Sequence, residues 1–382
     1  MNALREKIEK NCFFNNITRS IVMASYNNRL EKIISEFTKV DSIQDIDQFK
    51  EKIRVLKIPK SNNIYAIKKS YSEGLLYGHI NALYKYAGLD KREFIYSPTI
   101  EHGIQFYGNL RNNYFPRIFQ GEYLFQQWHM QKPGVPLFAV GPYIHYAENY
   151  YSEKKVESIK HKNGKTLLVF PFHSYEFAKI KYGESNFVKK IMHDIAREYS
   201  TVIVCAYWLD INSNLYKMFE AEGATLVSAG FRSDPNFISR LKTIINLADS
   251  VYSNAIGTFV GYALYLNKPV YLELDQIQQE SEDLTITDKM EVRMQRCNYE
   301  FGKLFSPKYD KSLKEQLEFC NLYWGFDCIK SPDELKQILV LNKKLLIKSR
   351  GFDYKIPNSC DILLKSKLLN NEEIKILDKA RR

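Results

Sequence analysis

The stretch Ser253-Asn254-Ala255-Ile256-Gly257-Thr258 puts small and polar residues where the apolar run Ser250-Val251-Tyr252-Ser253 gives way to a helical pattern. Small side chains let backbone N–H groups approach an anion, and a helix start adds about half a positive charge. A phosphate fits such a turn, with Asn254 and Thr258 as side-chain donors; the plainer alternative is that Ser253 or Asn254 caps the helix. His173-Ser174 follows the apolar run Thr166 to Phe170. A histidine there can donate to a leaving phosphate and stabilise the charge formed as its bond breaks, with Ser174 a further donor; the alternative is a surface-loop histidine. Glu101-His102-Gly103 follows Glu93-Phe94-Ile95-Tyr96-Ser97. Gly103 permits a backbone conformation that other residues resist, which presents His102 or Glu101 to a cleft. An imidazole with an ordinary pKa of about 6.5 suits a general base for a hydroxyl, and Glu101 either orients it or is itself the base. The alternative is a turn holding a buried, hydrogen-bonded His102.

Other polar residues offer less. Arg232 and Ser233 follow the run Ala224 to Ser228, where a base or phosphate can pass. Glu273 ends the run Pro269 to Leu272, with Glu280 and Glu282 beyond it; these accept from ribose hydroxyls or are simply solvated. His79 lies on an apolar helix face and reads as packed core, while His129, His145, His161 and His193 have no supporting neighbour. Metal ligation has little basis. HxxxH and HExxH are absent, and the one DxD triplet, Asp45-Ile46-Asp47, lies in a polar helical stretch rather than at a strand end. Asp210 stands alone as a carboxylate after Thr201 to Ala206. Neither a P-loop nor GxGxxG occurs, so neither metal nor resident cofactor is expected.

The elements that must position these residues follow from hydrophobic patterning. From Thr166 to Leu272, short apolar runs alternate with helical segments. The strands are 166–170, 201–206, 224–228, 250–253 and 269–272; the helices are 187–199, 215–222, 235–248 and 258–266, with Asp234 as a cap for the third. Such alternation implies right-handed crossovers and an open parallel sheet, whose ligands bind outside the carboxyl ends of the strands. The N-terminal half reads as helices over 1–50, a strand at Ile53 to Ile58, a helix at Ser70 to Ala87, a strand at 93–97, and short elements at Phe119 to Trp128 and Leu137 to Val140. Residues 148–165 are polar and read as an interdomain linker. Glu280 to Arg296 is charged and helix-like, Asp333 to Leu341 is a helix capped by Ser331 or Asp333, and a basic tail follows. The expected domains are 1–155, 156–330 and a C-terminal helix and tail at 331–382.

A chain of 382 residues suits two domains, and its +11 formal charge suits an anionic partner such as a nucleotide or a phospholipid surface. No nucleic-acid-binding pattern accompanies that charge, so nucleic acid is not expected. The six cysteines form no CxxC pair and read as reduced thiols. The first residues lack the apolar run of a signal peptide, and no stretch approaches about 20 apolar residues. A cytoplasmic protein that can rest on the inner face of the membrane is the expectation.

The three constellations, taken in chain order, resemble bacterial GT-B glycosyltransferases and glycerophosphotransferases of surface-polysaccharide assembly. Teichoic-acid CDP-glycerol transferases carry a His-Gly motif, a His-Pro motif and a Ser-rich phosphate turn. Glu101-His102-Gly103 is similar to the first, Phe172-His173-Ser174 to the second with Ser174 in place of Pro, and Ser250 through Thr258 to the third. Bacterial sialyltransferases have a related trio in which Glu101 falls on an acidic position, and capsule Kdo transferases share the fold. The resemblance implies an α/β fold of two Rossmann-like domains with a cleft between them. It implies transfer of a sugar from a UDP- or CMP-linked donor to a polysaccharide or lipid-linked glycan, the nucleotide-sugar being substrate. His102, Glu101 and His173 would be catalytic; Ser174, Arg232, Ser253, Asn254, Gly257, Thr258 and Glu273 would bind the donor. Polyol-phosphate transfer from a CDP-linked donor, and non-catalytic binding of polysaccharide or nucleotide on the same fold, are the alternatives.

Overall fold

A computed structural model describes residues 35, 39–55, 76–90, 100–103, 116–131, 135–174, 179–181, 183–274, 278–280, 299–348 and 369–381. The chain divides into two compact units. One comprises Met1–Ser35, Lys57–Tyr146 and Asn321–Arg382; the other comprises Glu36–Leu56 and Ala147–Cys320. Both are α/β with parallel strands.

Helix α1 (Ile46–Arg54) opens the described chain and belongs to the second unit. Asp45 caps it, its Oδ1 accepting from Gln48 N at 3.0 Å. The strand expected from Ile53 is therefore wrong at its start. Ile46, Phe49 and Ile53 are spaced three and four apart, which places them on one helical face. The Asp45-Ile46-Asp47 triplet is the beginning of this helix, with Asp47 paired to Lys50 at 3.4 Å.

In the first unit, a 3-10 turn (Leu76–Gly78) leads into α2 (His79–Tyr86). Strand β1 (Arg117–Phe119), α3 (Glu122–Gln131) and β2 (Leu137–Ala139) follow, then the short α4 (Tyr143–Tyr146). Strands β1 and β2 pair in parallel, Ile118 against Phe138, and Ile100 bridges to Ile118, also in parallel. Phe119, Leu124, Phe125, Trp128, Val135 and Leu137 form the core between strands and helix. Gly121 makes that packing achievable: a Cβ there would lie 2.5 Å from the Tyr323 backbone. The expected strand at 93–97 lies outside the described residues, as do 1–34, 56–58 and 70–75.

The second unit resumes with α5 (Glu153–Asn163), which corrects the expected linker. Ser152 Oγ accepts from Lys155 N at 3.4 Å, and Gly164 closes the helix with φ +61°. Val156 is the only residue of α5 that is buried, so the segment is polar enough to pass for a linker. Strand β3 (Thr166–Phe170) comes next, then β4 (Lys179–Lys181) and α6 (Glu184–Lys189), which runs on through a π turn and a 3-10 turn to Glu198. Then come β5 (Thr201–Cys205), α7 (Asn214–Ala221), β6 (Thr225–Val227), α8 (Phe237–Asn246), β7 (Ser250–Ser253), α9 (Phe259–Tyr265), β8 (Val270–Leu272) and β9 (Gln278–Glu280). Asn236, not Asp234, precedes α8; Asp234 instead pairs with Arg240. The charged region after Glu280 lies outside the described residues.

Five of these strands form one parallel sheet in the order β6-β5-β3-β7-β8. Counted along the chain within this sheet, the order is third, second, first, fourth, fifth, which is compatible with a Rossmann-like fold. Leu168 lies beside Ile203 on one side and Val251 on the other. All three are fully buried, as expected for strands covered on both faces, and truncating Leu168 to Ala would cost about 2–5 kcal/mol. Strands β4 and β9 make a separate antiparallel pair.

Helix α10 (Lys314–Trp324) precedes two helices of the first unit, α11 (Pro332–Lys348) and α12 (Asn371–Arg381). Ser331 and Glu334 form a reciprocal cap at the start of α11, Ser331 N donating to Glu334 Oε2 at 3.0 Å and Glu334 N to Ser331 Oγ at 3.4 Å. No helix among the described residues is long and apolar enough to cross a membrane.

Candidate functional site

The order of the second unit's sheet reverses direction at β3. The chain goes from β3 outward through β5 to β6, then returns to β7 on the other side. Loops leave a sheet in opposite directions at such a point, which opens a crevice at the carboxyl ends of the two strands. Phe172-His173-Ser174 leaves β3 there, and Ser253-Asn254 leaves β7.

The two strand ends are fastened to each other. Ser253 Oγ donates to Phe170 O at 2.6 Å and accepts from Ala255 N at 3.1 Å. Asn254 Oδ1 accepts from Phe172 N at 2.8 Å. Both side chains are fully buried. Ser253 therefore ties backbone to backbone and has no proton to offer a ligand. Asn254 keeps donors in reserve: its Nδ2 is buried without a hydrogen-bond partner among the described residues. Neither residue caps α9, which has Thr258 at its N-cap position without a side-chain cap bond. Gly257 lies under the Phe259 ring, where a Cβ would come within 2.5 Å, and that ring stacks on Phe170 at 4.4 Å.

His173 is held on both faces of its bonding. Its Nδ1 lies 2.9 Å from Ser174 O, so Nδ1 carries the proton and Nε2 is the acceptor in the neutral ring. The ring stacks on Tyr207, centroids 3.8 Å apart. Burial lowers the His173 pKa, against the opposing pull of the Ser174 carbonyl and the Asp210 carboxylate. Asp210 is the residue that sequence reasoning set aside as isolated. Its Oδ2 accepts from Ser174 N at 2.6 Å, which brings the ends of β3 and β5 together. Glu184, at the start of α6, has its carboxyl pushed up by burial and by Asp210. The position of Asp210 in the loop after a strand was the signal that could have found it.

Arg232 and Glu273 lie further off along the sheet. Arg232 follows β6, two strands from β3, and its guanidinium sits 5.7 Å from the Trp208 ring centroid. Glu273 follows β8; it pairs with Lys190 and accepts from Tyr252 Oη at 3.1 Å. Cys205 is no nucleophile, since burial first of all pushes its thiol up to about 12.

Glu101 and His102 belong to the first unit, at the carboxyl side of the bridge from Ile100 to Ile118. The Glu101 side chain is 3% exposed and its Oε1 accepts from Arg117 Nη1 at 2.5 Å; Arg117 is wholly buried, 4.8 Å from the Trp128 ring centroid. Glu101 is therefore fixed to Arg117 and does not orient His102 among the described contacts. Its backbone carbonyl accepts from Tyr143 Oη at 2.9 Å.

His102 instead faces Tyr77, ring centroids 5.5 Å apart, and Tyr77 faces His79 at 5.8 Å. Tyr77 has φ +59°, a left-handed conformation that costs a non-glycine residue about 1–2 kcal/mol. His79 is buried, 4.6 Å from the Tyr143 ring. Burial holds its pKa well below the ordinary value, and nearby His102 lowers it further. The apolar face around His79 hid this polar neighbourhood, which also includes Tyr77, Arg117 and Tyr143. Among the described residues no group of three or more histidine, cysteine or carboxylate side chains is placed to hold a metal ion. Scans against protein-family models, curated proteins and solved structures returned no match, so the functional reading rests on the geometry of the chain's own residues.

Proposed function

We propose that this chain is a metal-independent glycosyltransferase of the GT-B type. It would move a sugar from a UDP- or CMP-linked donor to a cell-surface polysaccharide or a lipid-linked glycan. The observation that carries the reading is the strand order β6-β5-β3-β7-β8, which joins Phe172-His173-Ser174 to Ser253-Asn254 at the topological switch point. Open α/β sheets hold nucleotides at that point.

In this reading the donor's phosphate lies at the second unit's switch point. The reserve N–H groups of Asn254 and the backbone of 254–258 face its oxygens, with Thr258 beside them. His173, neutral in the free protein, takes a proton on Nε2 when the anion arrives and then balances the charge of the leaving phosphate. His102 in the first unit accepts the proton of the acceptor hydroxyl. The hydroxyl oxygen forms a bond to the anomeric carbon, the bond from that carbon to the phosphate oxygen breaks, and the nucleotide leaves with the bonding electrons.

The test is thermal stabilisation of the purified protein by UDP-, GDP-, CMP- and CDP-linked donors. A UDP- or CMP-sugar at 100 times its Kd should add about 2.7 kcal/mol. Stabilisation by CDP-glycerol alone would turn the reading to polyol-phosphate transfer, and stabilisation by none would end it.

A further inference from the structure

We propose that His79 and Glu101 form a hydroxyl-binding subsite in the first unit, which holds a sugar hydroxyl of the acceptor beside the one that faces His102. This assignment of the acceptor rests on the glycosyltransferase reading; the subsite itself rests on two buried polar atoms. His79 Nδ1 and Glu101 Oε2 are each buried and without a hydrogen-bond partner among the described residues, in side chains 2% and 3% exposed. A folded chain seldom leaves such atoms unpaired, and two in one neighbourhood point to a missing partner. Tyr143 joins them: its hydroxyl donates to the Glu101 carbonyl at 2.9 Å, and its ring lies 4.6 Å from that of His79.

The chemistry of the two atoms selects the partner. Glu101 Oε2 can only accept. Its charge is already balanced by Arg117 at 2.5 Å, so a cation has little to gain there and an anion meets a carboxylate. His79 is neutral, and a neutral ring both donates and accepts. A hydroxyl can donate to Oε2, and a hydroxyl can accept from or donate to the imidazole. The flanking rings of Tyr77 and Tyr143 surround the imidazole with apolar surface. A ring carrying several hydroxyls meets all of these demands together.

Saturation-transfer NMR on the full chain, with the methyl glycosides of glucose, galactose and N-acetylglucosamine, tests the subsite. At least one should bind, its Kd should rise about tenfold in His79→Phe, and His79→Asn should restore most of the affinity. The ring nitrogen resonances of His79 in the unaltered protein should move when that glycoside is added, which keeps the test independent of how the variants fold. Absence of binding by all three, unmoved His79 resonances, or full affinity in His79→Phe would overturn the proposal. The nucleotide measurement separates the two ideas. Glycoside binding that depends on His79 without any nucleotide stabilisation would sink the transferase and leave a carbohydrate site. Nucleotide stabilisation without glycoside binding would sink the subsite alone.

Discussion

His173 makes the sharpest residue-scale prediction because, in the proposed reading, its protonation state changes when a donor binds. Burial depresses its pKa in the free protein, so at neutral pH the ring is uncharged, with its proton on Nδ1 toward Ser174 O. A phosphate placed at Nε2 favours the charged ring and raises that pKa. The sign follows: between the free and bound pKa values, binding takes up a proton, and donor affinity falls as pH rises through the bound value. Calorimetry in two buffers of different ionisation enthalpy measures the uptake. His173→Asn should abolish it and weaken donor binding about tenfold. Proton uptake unchanged in His173→Asn would remove the residue from the proposed phosphate site. Asp210 belongs to the same argument, since its bond to Ser174 N fixes the backbone that orients the imidazole.

At the scale of elements, the switch point is a fastening as well as the proposed site. Ser253 spends its hydroxyl on Phe170 O, 83 residues away in the chain. Ser253→Ala should therefore cost about 1–3 kcal/mol of stability by leaving a buried carbonyl unpaired, with donor affinity nearly unchanged. Chemical denaturation and donor titration read the two effects separately; a large loss of affinity with unchanged stability would show the hydroxyl on the ligand instead. The strands of this sheet were legible because they are buried on both faces and so form unbroken apolar runs, as in Thr166-Leu167-Leu168-Val169-Phe170. The turn at Ser253-Asn254 was legible as a special place, but its partners were not, since they come from a strand far away in sequence. Helix α5 was misread for the opposite reason: with Val156 alone buried, its caps at Ser152 and Gly164 carried the signal. His79 was read from the apolar residues of its own helix, whereas its polar neighbours Tyr77 and His102 come from the turn before it and from a distant loop.

At the scale of the molecule, linear domain boundaries fail because α1 is held by side chains that only folding brings together. Phe49 and Val40 are wholly buried in the second unit, although they precede most of the first unit in sequence. Arg240 is the organising residue. It pairs with Asp234, donates to Val40 O at 3.2 Å, and sits 5.4 Å from the Phe49 ring centroid and 4.7 Å from that of Tyr150. The backbone joins in: Ser228 N, just past β6, donates to Ile43 O at 2.9 Å, and Ile43 N donates to Tyr151 Oη at 2.9 Å. Burial pushes the Asp234 carboxyl up while Arg240 pulls it down, and separating the two would leave an uncompensated buried charge. Phe49→Ala should then cost about 3–5 kcal/mol, and its effect should be confined to one unit. Hydrogen exchange on the full chain is the measurement. Protection should fall in α8 and around Ser228 at the end of β6, while β1 and β2 keep theirs. Equal loss in β1 and β2 would mean that the two units unfold as one, and no loss in α8 would mean that residues 36–56 contribute nothing to the second unit.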